Sequence, residues 1–357
     1  MTIDELLKTV RERSASDLHL TVAAAPTLRI DGELHSLGGA ALDNESIEKL
    51  VFSMLNTEQR RRYDENSELD AAIDVKGVGR FRLNIFRQRG HIGAALRLIP
   101  DAFKSFEELG LPTTIYEIAK LPNGLVLLTG PTGSGKSTTL ASLINHINEN
   151  RTGHIITIED PIEYLHQHKR CLINQREVGQ DTQTFTTALR HILRQDPDII
   201  LIGEMRDLET IQAALNIAET GHLVFATLHT NDAVQSINRI IDAFPANQQA
   251  QIRVQLSFVI QYVFTQQLLP HASGNGRAMA CEVLMATPAI RNLIRESKAE
   301  QIRALIQTGI KHGMQTMDMS LAQLYHKNKI TYECALEHSA TPEDLKKLLD
   351  QKNLLKK

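Results

Sequence analysis

The sequence predicts an α/β fold in which a parallel sheet forms the centre of a larger domain. From residue 121 onward, apolar runs typical of buried strands alternate with helical patterns, which indicates a parallel sheet covered on both faces. The strand-like runs are residues 125–129, 155–158, 198–202 and 223–228. A glycine-rich loop joins the first run to an amphipathic helical pattern. Ligands of such sheets bind at the carboxyl ends of the strands, so we expect the functional site there.

Residues 1–99 predict a smaller α+β domain in front of that sheet. Apolar residues recur at helical spacing in residues 3–10, and strand patterns follow, with Asp31 and Gly32 as a hairpin turn. Residues 80–86 alternate apolar and polar side chains, so the arginines of this strand point away from the core. Two interpretations remain open for them: a solvated basic face, or cations placed near a transferred phosphate.

Weak periodicity and prolines predict the domain boundary. Residues 100–112 contain Pro100 and Pro112, so we expect a linker there, before a second domain over residues 113–357. Its last part, from about residue 270 to 357, is expected to be helical. An apolar stripe at helical spacing predicts a further helix, over Ile252, Leu256, Val259, Ile260, Val263 and Phe264.

Composition and charge argue against several classes of protein. The net charge is −3, aromatic residues make up 4% and Trp is absent, which speaks against a nucleic-acid-binding surface. The three cysteines, Cys171, Cys281 and Cys334, are scattered, which fits a reducing compartment better than disulfides or a zinc module. The sequence shows neither a signal peptide nor a run of 18 apolar residues. We therefore expect a cytoplasmic protein that contacts a membrane machine without spanning the bilayer.

Residues 130–137, GPTGSGKS, match the phosphate-binding pattern G-x-x-x-x-G-K-[ST]. A buried strand precedes the pattern and a helix follows it, which makes a chance match improbable. Backbone N–H groups and the helix N-terminus are expected to converge on phosphate oxygens, with Lys136 at the β- and γ-phosphates and Ser137 on Mg²⁺. The expected phosphate-binding residues are Gly130, Pro131, Thr132, Gly133, Ser134, Gly135, Lys136, Ser137 and Thr138.

Acidic residues follow two predicted strands on the side of this loop. Glu159 ends one strand, Glu163 lies just beyond it, and Glu204 follows another. Carboxylates at this edge can hold hydrated Mg²⁺ or orient an attacking water. Solvated strand ends are the alternative interpretation, but two acidic groups beside one phosphate-binding loop favour the functional one.

Two histidines, His222 and His229, frame the strand-like run at residues 223–228. Because lone histidines are more often structural, the pattern alone favours hydrogen bonding to the backbone for both. A functional role is the alternative that their position beside the predicted site leaves open.

Together these segments resemble the secretion-superfamily ATPases, and among them the retraction motors of type IV pili. The likeness covers nearly the whole chain. It rests on ASDLHL with LRIDGEL in the first domain, GPTGSGKSTTLAS as the Walker A segment, TIEDPIEY as the Asp box, LRQDPDIILIGEMRD as the Walker B segment and TGHLVFATLHTNDA as the His box. AIRNLI, which marks retraction motors within the superfamily, is the most discriminating of these segments.

The resemblance implies a PAS-like N-terminal domain, a RecA-like P-loop ATPase core with a helical C-terminal subdomain, and a homohexamer that binds ATP and Mg²⁺ between the domains. It implies a motor that hydrolyses ATP to retract the pilus, located in the cytoplasm at the inner-membrane pilus base. The implied partners are the inner-membrane platform protein and a paralogous retraction ATPase, with no role for nucleic acid.

The resemblance also implies roles for individual residues. Catalytic roles fall to the Walker B residue Glu204, the Asp-box acid Glu163, Arg82 and Arg97. His222 and His229 sense the nucleotide. The implied metal ligands are Ser137, Glu159, Glu163 and Glu204.

One position departs from the general P-loop pattern. Gly203 precedes Glu204 where many P-loop enzymes place a Mg²⁺-binding aspartate. This leaves open whether Glu204 or Glu163 is the principal base.

A retraction paralogue that depends on another retraction motor remains as one alternative, and three other functions remain beside it. An assembly or secretion ATPase of the same superfamily usually carries a four-cysteine zinc site, for which this sequence has too few cysteines. A RecA-like nucleic-acid motor fits poorly with the acidic net charge. A nucleotide-sensing scaffold without hydrolysis fits poorly with an intact Lys136 and Glu204.

Overall fold

The computed structural model describes residues 2–30, 32–99 and 102–350. The chain divides into two compact units, Met1–Ala102 with Pro161–Leu165, and Phe103–Asp160 with His166–Lys357. Asp31 of the predicted hairpin turn and Pro100 of the predicted linker lie outside the described residues. The domain and linker boundaries that the sequence predicts stay predictions.

The first unit contains an antiparallel sheet of six strands and three helices. Its strands are β1 (Asp17–Leu20), β2 (Thr27–Ile30), β3 (Glu33–Ser36), β4 (Leu69–Val75), β5 (Gly79–Gln88) and β6 (His91–Leu98). Its helices are α1 (Ile3–Glu12), α2 (Asn44–Phe52) and α3 (Thr57–Asn66). The strand order is β3-β2-β1-β6-β5-β4, and the helices share one apolar core with the sheet. The predicted opening helix is confirmed as α1, with Thr2 as its N-cap.

Strand β5 has the predicted alternation. Its apolar residues in the core are Phe81, Leu83 and Ile85. Arg82 lies on the opposite face, in register with Arg97 of β6, and Arg97 is in register with Asp17 of β1. The sheet therefore aligns these three charged residues in one row across its strands.

The second unit is built on a seven-stranded sheet. Its strands are β7 (Gly124–Thr129), β8 (Gly153–Glu159), β9 (Cys171–Glu177), β10 (Ile199–Ile202), β11 (Leu223–Leu228), β12 (Ile260–Pro270) and β13 (Arg277–Met285). The strand order is β13-β12-β7-β11-β10-β8-β9. All neighbours are parallel except β12 and β13, which are antiparallel. The four strands predicted from apolar runs are confirmed as β7, β8, β10 and β11.

Helices cover both faces of this sheet. They are α4 (Thr114–Ala119), α5 (Lys136–Asn150), α6 (Phe185–Ile192), α7 (Leu208–Glu219), α8 (Ala233–Asp242), α9 (Ala246–Val259), α10 (Pro288–Arg295), α11 (Ile302–Thr308), α12 (Met317–His326), α13 (Tyr332–Glu337) and α14 (Pro342–Asp350). Short 3-10 turns lie at Leu193–Gln195, Ala299–Gln301 and Ile310–His312. None of the helices in the described part of the chain is long and apolar enough to cross a membrane.

The parallel strands bring the segments that follow them to one edge of the sheet. Thr129 at the end of β7 is in register with Leu228 at the end of β11. Ile202 at the end of β10 is in register with Ala226 of β11 and Ile158 of β8. The loops after these four strands therefore start side by side, as the alternating pattern predicts.

The predicted helix over residues 252–264 is wrong in its second half. Helix α9 ends at Val259, and the chain continues as β12, which pairs with β7 from Ile260 onward. The run from Ile260 to Phe264 is rich in β-branched and aromatic residues, which favour strands, and tertiary pairing decides between two patterns that spacing alone does not separate. The strand β13 follows, so the C-terminal helices begin at Pro288 rather than near residue 270.

Candidate active site

The glycine-rich loop joins β7 to α5. Gly130, Gly133 and Gly135 have φ values of 135°, 79° and 89°, in the region that favours glycine. A Cβ atom at Gly130 would lie 2.2 Å from the carbonyl oxygen of Gln266, so a side chain at this point would collide with β12. The N-cap residue of α5 is Gly135, which supplies no side-chain cap, and helix N-termini of this kind bind phosphate.

Lys136 begins α5, and its ammonium group folds back over the loop. Nζ donates hydrogen bonds to the carbonyl oxygens of Gly130 at 2.7 Å and Pro131 at 3.0 Å. The same nitrogen lies 3.5 Å from Nδ1 of His229. Lys136 is only 8% exposed, so its charge is held inside the loop where phosphate oxygens bind in P-loop proteins.

His229 connects this lysine to Glu204. His229 follows β11 and Glu204 follows β10, and Nε2 of the histidine lies 3.1 Å from Oε1 of the glutamate. In a neutral His229 whose Nδ1 accepts from Lys136, Nε2 carries the hydrogen and donates it to Glu204. The tautomer of His229 with its hydrogen on Nε2 thus provides an acceptor for Lys136 and a donor for Glu204. The structure brings together three predicted site residues at the edge where the parallel strands end.

The carboxylate of Glu204 is held in its ionised form. Partial burial raises its pKa, but the hydrogen bond from Arg206 and the neighbouring His229 lower it more, so the pKa lies below its ordinary value. Nη2 of Arg206 lies 2.8 Å from Oε2 of Glu204. An ionised carboxylate in this position can accept a hydrogen bond from water.

The residues predicted to hold Mg²⁺ differ in their surroundings. Ser137 is exposed in the first turn of α5. Glu159 ends β8, where it accepts hydrogen bonds from Thr157 at 2.6 Å and Gln175 at 3.2 Å. In the described part of the chain, no three His, Cys, Asp or Glu residues form a group that could hold a metal by themselves. Ser137 and Glu159 carry oxygen atoms of the kind that bind Mg²⁺, which also takes water and substrate phosphates as ligands.

His222 is not brought to the loop. It precedes β11, whereas His229 follows it, and Nδ1 of His222 lies 3.0 Å from the Thr220 hydroxyl and 3.3 Å from the Ile217 carbonyl oxygen. The strand between the histidines is roughly 17–20 Å long. Within one chain, the position of His222 therefore does not support the predicted contact with nucleotide. The local hydrogen bonds account for where its side chain lies.

The remaining predicted catalytic residues belong to the first unit. Arg82 lies 3.8 Å from both Glu163 and Asp70, distances that are longer than a hydrogen bond. Arg97 donates a hydrogen bond to the carboxylate of Asp17 at 2.8 Å. Arg82 and Glu163 are thus brought together within this unit, whereas Arg97 is paired elsewhere on its sheet.

Sequence reasoning missed two residues of the site, Arg206 and Gln266. Arg206 follows Glu204 by two positions, a spacing that could have drawn attention to it. Gln266 gave no signal, because the segment before it was predicted to be helical. Its side chain is buried on β12, and Nε2 donates a hydrogen bond to the backbone oxygen of Ser134 at 2.6 Å. Gln266 therefore fixes the phosphate-binding loop from the neighbouring strand.

Replacing Gln266 with leucine is expected to loosen the loop. The change removes a buried hydrogen bond, which costs about 1–3 kcal/mol when the partner stays buried. We expect a lower midpoint of thermal unfolding and a KM for ATP that rises more than kcat falls. Gln267→Leu, at the half-buried next position, is the matched control. Equal KM values for the wild type and the Gln266 variant would contradict this role.

Comparison with known proteins identifies the family. The model of the family described as type II/IV secretion system protein matches residues 1–348. The chain belongs to this family. Among the relatives of this secretion-system protein is the type IV pilus retraction ATPase PilT of Pseudomonas aeruginosa, 48% identical over 344 residues, which are 96% of this chain and 100% of PilT. The type IV pilus ATPase PilU of the same organism is 43% identical and covers 98% of this chain and 91% of PilU.

A solved structure shows the same fold. The crystal structure of the pilus retraction motor PilT with bound ADP superimposes with a TM-score of 0.91 at 50% sequence identity. The match covers 97% of the chain described here and 99% of the PilT chain. This match confirms the predicted fold class, a PAS-like α+β N-terminal domain followed by a RecA-like P-loop ATPase core with a helical C-terminal subdomain.

Proposed function

We propose that this chain is an ATPase motor that powers retraction of type IV pili and thereby twitching motility. The observation that carries the proposal is the contact chain from Lys136 through His229 to Glu204. These contacts join the phosphate-binding loop to a carboxylate at the same edge of the sheet. The identity of nearly half of the residues to a protein named as a retraction ATPase supports the specific task.

The proposed reaction is hydrolysis of the bond between the β- and γ-phosphates. The loop N–H groups and Lys136 hold the triphosphate, and Glu204 accepts a hydrogen bond from the attacking water. The water oxygen bonds to the γ-phosphorus as the bond to the β-phosphate oxygen breaks, which leaves ADP and phosphate. Ser137, and the acidic residues through water, would hold Mg²⁺, which would supply neutralisation of charge on the phosphate oxygens.

His229 is proposed to report the presence of the γ-phosphate to Glu204. Its Nδ1 faces the ammonium of Lys136 at 3.5 Å. When Lys136 turns towards a phosphate, this contact is lost while the contact with Glu204 remains. The histidine is then free to adjust the carboxylate that orients the water. Such a link makes the position of Glu204 depend on what the loop has bound.

The roles of Glu163, Arg82 and Arg97 stay predictions, to be tested by substitution. So do the assembly as a homohexamer, the contact with an inner-membrane platform protein and the location at the pilus base. The relative PilU shows that a paralogue occurs beside PilT in one organism. We propose that a paralogue of this kind is a partner of the chain.

Helix α10 carries the AIRNLI segment and supports retraction as the task. Arg291 donates hydrogen bonds to the carbonyl oxygens of Ser257 at 2.6 Å and Phe258 at 2.7 Å, at the end of α9. It also donates to the carbonyl oxygen of Ala286 at 3.0 Å. Arg291 therefore fixes the helix, while Asn292 is exposed to solvent. We propose that the exposed side of α10 transmits the work of hydrolysis.

Retraction imaging in a deletion strain tests this function. The wild-type chain is expected to restore retraction and Lys136→Ala is not. Asn292→Ala is expected to keep ATP turnover while retraction slows, because the residue lies on the exposed side of α10. Asn275→Ala, at an exposed turn, is the matched control and should restore retraction. Retraction that Lys136→Ala restores as well as the wild type would contradict the proposal.

The alternatives predict different results. An assembly ATPase would restore fibre formation instead of fibre retraction in such strains. A nucleic-acid motor would bind DNA in a salt-sensitive manner and hydrolyse ATP faster with DNA present. A filter-binding assay separates the last alternative from the others.

A further inference from the structure

A buried carboxylate, Glu282, lies on β13 away from the residues considered so far. It is 6% exposed and stands between Ala280 and Leu284 on one face of the strand. Ala280 belongs to the apolar cluster with α12 and α14, and Leu284 to the cluster with α8 and α9. A buried carboxylate needs hydrogen-bond partners, because burial of a charge is costly.

Its partners are the first residues of two helices. Oε1 of Glu282 accepts a hydrogen bond from the backbone N–H of Ala233, at the start of α8, at 2.9 Å. The backbone N–H of Met317, at the start of α12, also favours the charged form of this carboxylate and lowers its pKa. A carboxylate at two helix N-termini is electrostatically favourable. Glu282 thus joins α8 to the C-terminal helices.

The loop that carries His229 is attached to the same end of α8. The hydroxyl groups of Thr230 and Ser236 lie 2.6 Å apart. The carboxylate of Asp232 caps the helix by accepting from the N–H of Gln235 at 2.7 Å. Because these bonds tie the loop to the first turns of α8, a shift of that helix end moves His229 with it.

A second connection runs across the sheet to the phosphate-binding loop. Glu282 is in register with Thr265 of β12, and Thr265 is in register with Thr129 of β7. The two threonine hydroxyls, both fully buried, lie 2.7 Å apart. Thr129 directly precedes Gly130. Thr129, Thr265 and Glu282 therefore form a polar row across three neighbouring strands, β7, β12 and β13.

We propose that Glu282 is a positioning residue for ATP turnover, which couples the phosphate-binding loop and the loop of His229 to helices α12–α14. The proposal rests on the proposed function of the chain. In the ionised state Glu282 holds the N-terminus of α8 through the Ala233 bond and attracts the positive end of the α12 dipole. In the protonated state both interactions weaken, and the two helix ends are free to separate.

The charge of Glu282 changes within the physiological range. Burial raises its pKa to about 7, and Asp232 raises it as well, whereas the N–H groups of Ala233 and Met317 and the positive charge of Arg303 lower it. On α12, Asp318 faces Arg303 at 3.2 Å. At pH values between the ordinary pKa of a glutamate and 7, Glu282 is ionised in the unfolded chain but still protonated in the folded chain. The contribution to stability therefore falls as the pH rises through this window and is constant above it.

The test compares the wild type with Glu282→Gln and with Glu333→Gln, an exposed glutamate in the first turn of α13. We expect the kcat of the wild type and of the control to rise as the pH passes 7. Glu282→Gln should lack this rise, and at pH 8 its kcat should be about 10-fold lower than that of the wild type. This loss is smaller than the roughly 10²-fold that a 1 Å misplacement of catalytic groups costs. Its thermal midpoint, measured without nucleotide, should fall less than that of the wild type between pH 5 and pH 8.

A second variant removes a donor and leaves the carboxylate unchanged. Ala233→Pro eliminates the N–H at the first position of α8, where proline is favoured. Since that N–H lowers the pKa of Glu282, the rise in kcat should move to higher pH in this variant. Unchanged pH profiles of kcat and of the thermal midpoint in either variant would overturn the proposal. A wild type without ATPase activity would overturn the proposed function instead, while the thermal midpoints would still test the ionisation of Glu282.

Discussion

Glu204→Gln is expected to lower kcat for ATP hydrolysis by roughly 10²–10⁴-fold, the range for loss of a residue that orients or deprotonates the attacking water. Glutamine has the shape of glutamate, but its neutral amide oxygen accepts a hydrogen bond from water less strongly than a carboxylate and does not take up a proton. Arg206, whose guanidinium contacts Glu204 at 2.8 Å, would lose its ion pair as well. Because Lys136 and the loop are unchanged, we expect ATP affinity within a few-fold of the wild type.

Phosphate release and equilibrium binding of ATP measure the two effects separately. The matched control is Glu209→Gln, which changes an exposed glutamate at the start of α7. Its turnover should equal that of the wild type. A Glu204 variant with reduced affinity and unreduced kcat would assign this residue to binding, contrary to its proposed role.

Lys136→Ala is expected to abolish measurable turnover, with kcat/KM lower by on the order of 10²–10³-fold or more. The ammonium is a positive charge inside the phosphate-binding loop, held by the Gly130 and Pro131 carbonyl oxygens. Removing it also removes the partner of Nδ1 in His229. We therefore expect loss of both affinity and catalysis, unlike the loss expected for Glu204.

The control for this prediction is Lys120→Ala, since Lys120 is an exposed lysine that pairs with Glu117 on the surface. Both variants should show the circular dichroism spectrum and the thermal midpoint of a folded protein. Tight ATP binding by folded Lys136→Ala would show that the loop does not use this lysine.

The sequence predicted the sheet edge and its loops because these features are local. Strands β7, β8, β10 and β11 are buried on both faces, so their apolar runs are clear. The loop pattern fixes the position of Lys136, and the strand-end rule places Glu204 at the same edge. These predictions needed only the residues within each segment.

The features that the sequence did not predict depend on contacts between distant segments. Strand β12 has a spacing that also fits a helix, and its pairing with β7 decides the outcome. For that reason Gln266 was missed although it touches the loop. The contact of His229 with both Lys136 and Glu204 likewise involves three separate segments. His222 seemed equivalent to His229 in the sequence, but it lies at the opposite end of β11.

Phosphate release by a set of four purified proteins tests the account most directly. The set contains the wild type, Glu204→Gln, Glu163→Gln and the double variant, each with ATP and Mg²⁺. We predict Mg²⁺-dependent turnover by the wild type, a loss for Glu204→Gln that approaches that of the double variant, and a smaller loss for Glu163→Gln. Turnover at the wild-type rate by both single variants would contradict the assignment of this site.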